Sequence, residues 1–188
     1  AVNRGYIPGV LDDNQKLMEF TAACAPYVFR SSLFPQEYYG NAFVAEPAGN
    51  LIKRNVISED GNIIIGNDPN PGKEFLASTD ERFRPSSFAT GPDGALYVAD
   101  MYRGLIQHGE YLTPYLSAQT IGRGLLAPVH LGRIWRIIPK GGTTRATPKL
   151  SQASNEELID FLSDKDGWYR DMAQRLLVER KDMTVKDP

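Results

Sequence analysis

Two histidines, two strand-ending carboxylates and a set of arginines beside apolar runs are the residues of this chain best placed by type and spacing to do chemistry. Asp100 closes the run Gly94-Ala-Leu-Tyr-Val-Ala-Asp100, with Tyr102 and Arg103 just beyond it. A carboxylate at the end of an apolar strand can bind Ca²⁺, pair with an arginine, or cap the loop that follows. Glu46 ends a similar run, Gly40-Asn-Ala-Phe-Val-Ala-Glu46. The two either form a shared ring of carboxylates or share one structural hydrogen bond. His108 stands two residues from Glu110 and near Arg103, in a long stretch between strands, where a loop over a site or a plain surface histidine would both fit. His130, between Val129 and Leu131 just ahead of a strand, reads as a structural histidine. Arg30, Arg54, Arg84, Arg103 and Arg136 recur beside strands, and any of them facing a channel would hold a carboxylate with its two-pronged fork.

These groups need elements to hold them. Gly 17 and Pro 13 in 188 residues punctuate short apolar runs between residues 25 and 139, the texture of strands and turns. Strands are predicted at 41–46, 50–57, 62–65, 86–90, 95–100 and 132–138. In NLIKRNVI and GRIWRII apolar residues alternate with Lys, Arg or Asn, which predicts one buried face and one solvated face. The texture changes after Pro148. Ser154-Asn-Glu-Glu157 is a capping box ahead of Leu158, Ile159, Phe161 and Leu162. A second helix is predicted over 168–180, burying Trp168, Met172, Leu176 and Val178, and the short 163–167 connection makes the pair an antiparallel helical hairpin. The domain boundary falls at 143–149, with residues 1–142 as the β part and 149–188 as the helical part.

The two carboxylate-ending runs are copies of each other, 54 residues apart. Downstream, Gly49-Asn-Leu-Ile-Lys53 matches Gly132-Arg-Ile-Trp-Arg136. The first copy joins its strands by a tight hairpin, and the second carries 29 extra residues between the same two strands. Strand, turn, strand, with an acidic residue closing the first, is the pattern of a β-propeller blade, although two similar hairpins in a sandwich would look alike locally. Two blades cannot close a ring of four to eight. The expectation is a mainly β, partial β-propeller of about two blades with a C-terminal α-helical hairpin, cut from something longer.

Composition bounds the rest. Charges nearly cancel, 21 Lys+Arg against 23 Asp+Glu for a net −2, and 41% of residues are hydrophobic. That is the profile of a folded globular chain. It has no basic stripe for nucleic acid and no apolar run long enough for a transmembrane segment. The start at Ala1 carries no leader pattern, so either a leader is gone or the chain is a piece of a larger one. A single cysteine, Cys24, excludes an internal disulfide and an all-cysteine metal site. GxGxxG, GxxxxGK[ST], GxSxG and HExxH motifs are all missing from the sequence.

Cys24-Ala-Pro-Tyr-Val-Phe-Arg30, the run from Gly40 through Arg54, Phe83-Arg-Pro85, Gly91-Pro-Asp-Gly-Ala-Leu-Tyr-Val-Ala-Asp100 and Gly132-Arg-Ile-Trp-Arg136, joined by the 101–131 insertion with Gln107-His108, together resemble one family. This is the membrane-bound dehydrogenase domain of large secreted multidomain bacterial proteins, similar to sorbosone and quinoprotein glucose dehydrogenases. The resemblance runs over 4–182, and the segment from Trp168 to Arg180 is similar to the HEAT-like repeat that follows the propeller there. It implies part of an exported, periplasmic or extracellular dehydrogenase that oxidises a sugar or alcohol and passes electrons to a cytochrome c domain or protein. The implied cofactors are pyrroloquinoline quinone and Ca²⁺. Such chemistry needs a base for the alcohol proton, basic groups for the quinone carboxylates and oxygen ligands for the metal. On this resemblance His108 and Asp100 take the catalytic roles, Arg103, Arg30 and Tyr102 hold the cofactor, and Asp100 and Glu46 hold the metal. No Cys-x-x-Cys-His occurs, so no c-haem is attached to this chain. The other class of function is a non-catalytic carbohydrate- or protein-binding propeller, its helices a docking scaffold and Tyr102, Tyr111 and Tyr115 an aromatic platform. Either way the remaining blades, from the same or another chain, are expected partners.

Overall fold

A computed structural model describes residues 12–13 and 18–182, so the start of the resembling stretch, 4–11, lies outside the described residues. Eight strands and three helices follow in the order β1 (Cys24–Val28), β2 (Ala42–Glu46), β3 (Leu51–Asp60), β4 (Ile63–Asn67), β5 (Leu76–Ala77), β6 (Pro85–Thr90), β7 (Leu96–Asp100), α1 (Pro114–Gly122), β8 (Arg133–Ile137), α2 (Asn155–Phe161) and α3 (Gly167–Arg180). One sheet has the order β1-β2-β3-β4 with β5 also on β3, and the other has the order β6-β7-β8. The described residues are thus mainly β, with antiparallel pairing in the first sheet, no closed barrel among them and a C-terminal helical part. No helix among the described residues is long and apolar enough to cross a membrane.

The strands expected at 41–46, 50–57, 62–65, 86–90, 95–100 and 132–138 are all present as β2, β3, β4, β6, β7 and β8. The repeated pairs occupy equivalent places, β2 beside β3 and β7 beside β8. The faces differ from expectation. On β3 the buried positions are Ile52 and Arg54, so a cation shares the inner face. On β8 neither face is covered, with Ile134 71% and Trp135 44% exposed. Alternation says that two faces differ, not that a layer lies over either one.

Two compact units divide the chain. The first takes residues 1–28, 42–88 and 98–135, and the second takes 29–41, 89–97 and 136–188. In the first, Phe43, Ala45, Ala48, Ile52, Phe83 and Val98 are buried, with the Phe43 and Phe75 rings edge to face at 4.8 Å. The insertion between β7 and β8 builds a small core of its own. Leu116 of α1 and Leu125 are buried with Leu105 and Leu112 against them. Thr113 caps α1 by accepting from the Leu116 amide, and Pro114 fills the first helical position, where no N–H is missed. Gly104 lets the insertion close: a Cβ there would lie 2.4 Å from the Leu125 carbonyl oxygen.

In the second unit the expected capping box is formed. The Glu157 amide donates to Ser154 Oγ at 3.2 Å and the Ser154 amide to Glu157 Oε2 at 2.7 Å. Leu150, Leu158, Tyr169 and Ala173 form the α2–α3 core, joined by Phe161, Trp168, Met172 and Leu176. Val178, expected in that stripe, is 69% exposed.

Candidate functional site

The chain around Asp100 is organised by one buried arginine. Arg84 lies just ahead of β6 with 1% of its surface exposed. Its Nε donates to the Arg103 carbonyl at 2.9 Å, Nη2 to the Gly104 carbonyl at 2.8 Å and Nη1 to the Pro47 carbonyl at 2.6 Å. Burial lowers its pKa, and the nearby Glu81, Asp100 and Asp80 carboxylates push the other way. Arg82 repeats the device further along, its Nη2 donating to the carbonyls of Gly124 and Ala127, both at 2.8 Å. A pair of arginines two residues apart therefore holds both ends of the insertion. The fork of donors suits this, since one guanidinium donates to three carbonyls at once.

Asp100 ends β7 and is 3% exposed. Its Oδ1 accepts from the Arg84 and Tyr102 amides, each at 2.8 Å, and its Oδ2 from the indole N–H of Trp135 at 2.9 Å. These bonds cap the loop that follows β7. Tyr102 pays for the tight path with a left-handed φ of 45°. Its hydroxyl donates to Asp80 Oδ2 at 2.7 Å, and the Arg133 guanidinium stacks over its ring at 3.4 Å. The hydrogen bond to Asp80 raises the Tyr102 pKa.

Beyond Tyr102 the loop opens a cleft of about 290 Å³, lined by Met101, Arg103, Leu105, Ile106, Gln107 and His108. Arg103 and His108 both line this cleft. Asp100 is not among the lining residues, and both its oxygens accept from the chain itself. Glu46, at the matching place on β2, is fully buried and accepts from the Ala22 amide at 3.0 Å. The strand-ending carboxylates thus share a structural habit of taking backbone amides. Burial raises the Glu46 pKa, the amides of Ala22, Gly49, Ala48 and Thr21 working against it, and its Oε1 has no hydrogen-bond partner among the described residues. Cys24 is a free, partly buried thiol whose pKa is raised by burial and by Glu46.

Arg30 belongs to the second unit, where its guanidinium pairs with Asp171 of α3 at 2.5 Å. That unit has its own cleft of about 550 Å³, lined by residues that include Asp93, Thr143, Thr144, Arg145, Lys165 and Asp166. Its charges are largely committed, Arg145 to Asp164 and Asp166, and Asp93 to Arg136. Larger volume does not make it the better site.

A carboxyl whose folded pKa lies above its unfolded one adds stability below the unfolded value and loses it as pH rises through the folded value. Glu46→Gln keeps the acceptor for Ala22 and removes the charge. The variant's stability relative to the wild type is expected to be higher at pH 7, where the wild type carries a buried charge, than at pH 4, where that charge is mostly neutralised. Thermal melts at both pH values check this; an equal difference at pH 4 would contradict it.

Fold and site together define a mainly β protein whose repeated hairpin carries an arginine-pinned, cleft-bearing insertion. The chain belongs to a family described as a domain of unknown function, DUF7133, whose pattern matches residues 4–141. It matches no curated protein and no solved structure.

Proposed function

We propose that this chain is a segment of a β-propeller that binds a small polyol, a sugar of monosaccharide size, in the cleft of the insertion. The observation that carries the reading is the convergence of Arg103, Gln107 and His108 on one cleft beside the apolar Met101, Leu105 and Ile106. Hydrogen-bonding side chains over an apolar floor suit a ring with polar edges and C–H faces. At about 290 Å³ the space is at the small end for ligand sites. Asp100 accepts from the Arg84 and Tyr102 amides and the Trp135 indole, and Glu46 from the Ala22 amide, which supports the sugar reading over one that needs both carboxylates for Ca²⁺.

A second reading, part of an exported quinoprotein-like dehydrogenase acting on a sugar or alcohol, draws on His108 sharing the cleft with Arg103. One series of experiments separates the two. Calorimetric titration with a panel of monosaccharides should give saturable binding that falls at least tenfold in His108→Ala and Arg103→Ala, with the fold unchanged by circular dichroism. A dye-linked oxidation assay with pyrroloquinoline quinone and Ca²⁺ added should stay at background. Turnover lost in His108→Ala would favour the second reading, and no binding to any sugar would sink the first.

A further inference from the structure

The internal repeat reports what one strand lacks. In the first sheet β3 has β2 on one edge, with Leu51 opposite Glu46 and Ile52 opposite Ala45. The same two residues also pair with β5, Leu51 opposite Ala77 and Ile52 opposite Leu76. A strand has only two edges, so β5 covers the edge of β3 that faces away from β2. The Ser78 amide continues the ladder by donating to the Asn50 carbonyl at 2.9 Å. Under this cover Ile52 is fully buried and Leu51 half-buried.

Matching Gly49–Lys53 onto Gly132–Arg136 places Ile134 at the position of Leu51, Trp135 at that of Ile52 and Arg133 at that of Asn50. Among the described residues nothing corresponds to β5: the second sheet ends at β8. Its exposure agrees, Ile134 being 71% and Trp135 44% exposed, with Val129 and Leu131 open beside them. An edge of unpaired backbone under uncovered apolar side chains is a template for strand addition.

We propose that the outer edge of β8 at Ile134 and Trp135 is the docking edge for a short extended segment of a partner protein, apolar then small in the manner of Leu76–Ala77. The segment adds antiparallel, and the residue after its small one donates to the Arg133 carbonyl as Ser78 does to Asn50. A bulky residue opposite Trp135 and a small one opposite Ile134 reproduce the pairing of the first sheet. Arg133, Ile134 and Trp135 all lie within the first compact unit. The claim stands apart from the sugar-binding reading, since it uses neither Arg103 nor His108.

The chain's own sequence supplies the probe. A peptide with the sequence of residues 73–79, KEFLAST, carries the segment that fills the matching edge. Added at millimolar concentration to the full 188-residue chain, it should slow amide hydrogen exchange across 133–137 at least fivefold. With Trp168→Phe leaving Trp135 as the only tryptophan, it should also shift the fluorescence to the blue. The control KEFPAST, with proline where Leu76 stands, should do neither, because proline lacks the amide and cannot join a central ladder. Ile134→Lys should abolish the response without changing the melt, since its side chain is largely in water. Protection by both peptides, or by neither, would overturn the proposal. So would a dimer in sedimentation that Ile134→Lys dissolves, which would make the occupant a second copy of the chain.

Discussion

Arg84→Met is expected to destabilise the chain by about 3–5 kcal/mol, the range for removing one member of a buried charged network. The side chain is 1% exposed and its three nitrogens donate to the carbonyls of Pro47, Arg103 and Gly104. Methionine fills much of the volume but returns none of these bonds, leaving three carbonyls short of a donor at about 1–3 kcal/mol each when buried. Relaxation recovers part of that cost. The loss should be local as well as global, because Arg103 and Gly104 begin the insertion. Limited proteolysis of the variant should cut first within 101–131, and urea denaturation should show the lower midpoint. Arg84→Lys should recover only part of the stability, since one ammonium cannot reach three carbonyls with a planar fork. A cost under about 1 kcal/mol for Arg84→Met would mean the insertion is held by its own leucine core instead.

The strands that carry the repeat were legible because their signal is local. The run from Gly40 to Glu46 and its copy from Gly94 to Asp100 became β2 and β7, and the tight turn after Glu46 became the β2–β3 hairpin. β1 escaped because Cys24–Val28 contains a proline, a left-handed Ala25 and a register shift, so no clean alternation survives. β5, at two residues, is too short to leave a periodic trace. α1 lay hidden behind its proline and glycines, although Thr113-Pro114 is a start signal that could have been read.

The roles of charged residues were less legible than their positions. Arg30, Arg54, Arg84, Arg103 and Arg136 look alike in a sequence, each an arginine beside a strand. Only burial and distant partners separate them: Arg84 holds carbonyls up to 37 positions away, while Arg103 lines the cleft. Arg103 and His108 line one cleft because they stand five positions apart in one loop.

Asp100→Ala should cost about 3 kcal/mol, since the variant strands the Arg84 amide, the Tyr102 amide and the Trp135 indole N–H around a vacated acceptor, with charge-assisted bonds worth roughly 1.5–3 kcal/mol. Asp100→Asn should cost less. Its remaining oxygen serves the two amides held by Oδ1, but its NH₂ group then meets the indole N–H at the place of Oδ2. A double-mutant cycle isolates that contact: Trp135→Phe should cost about 1 kcal/mol less in the Asp100→Asn background than in the wild type. Loss of the cap should also free Tyr102 from its left-handed φ, lowering the pH at which its hydroxyl ionises as the bond to Asp80 loosens. Calcium separates this account from the metal-ligand one. If Asp100 serves the backbone, millimolar Ca²⁺ leaves the wild-type melt where it was. A rise in Tm with Ca²⁺ that disappears in Asp100→Asn would show that the carboxylate leaves its amides for a metal, and the capping role would fall with it.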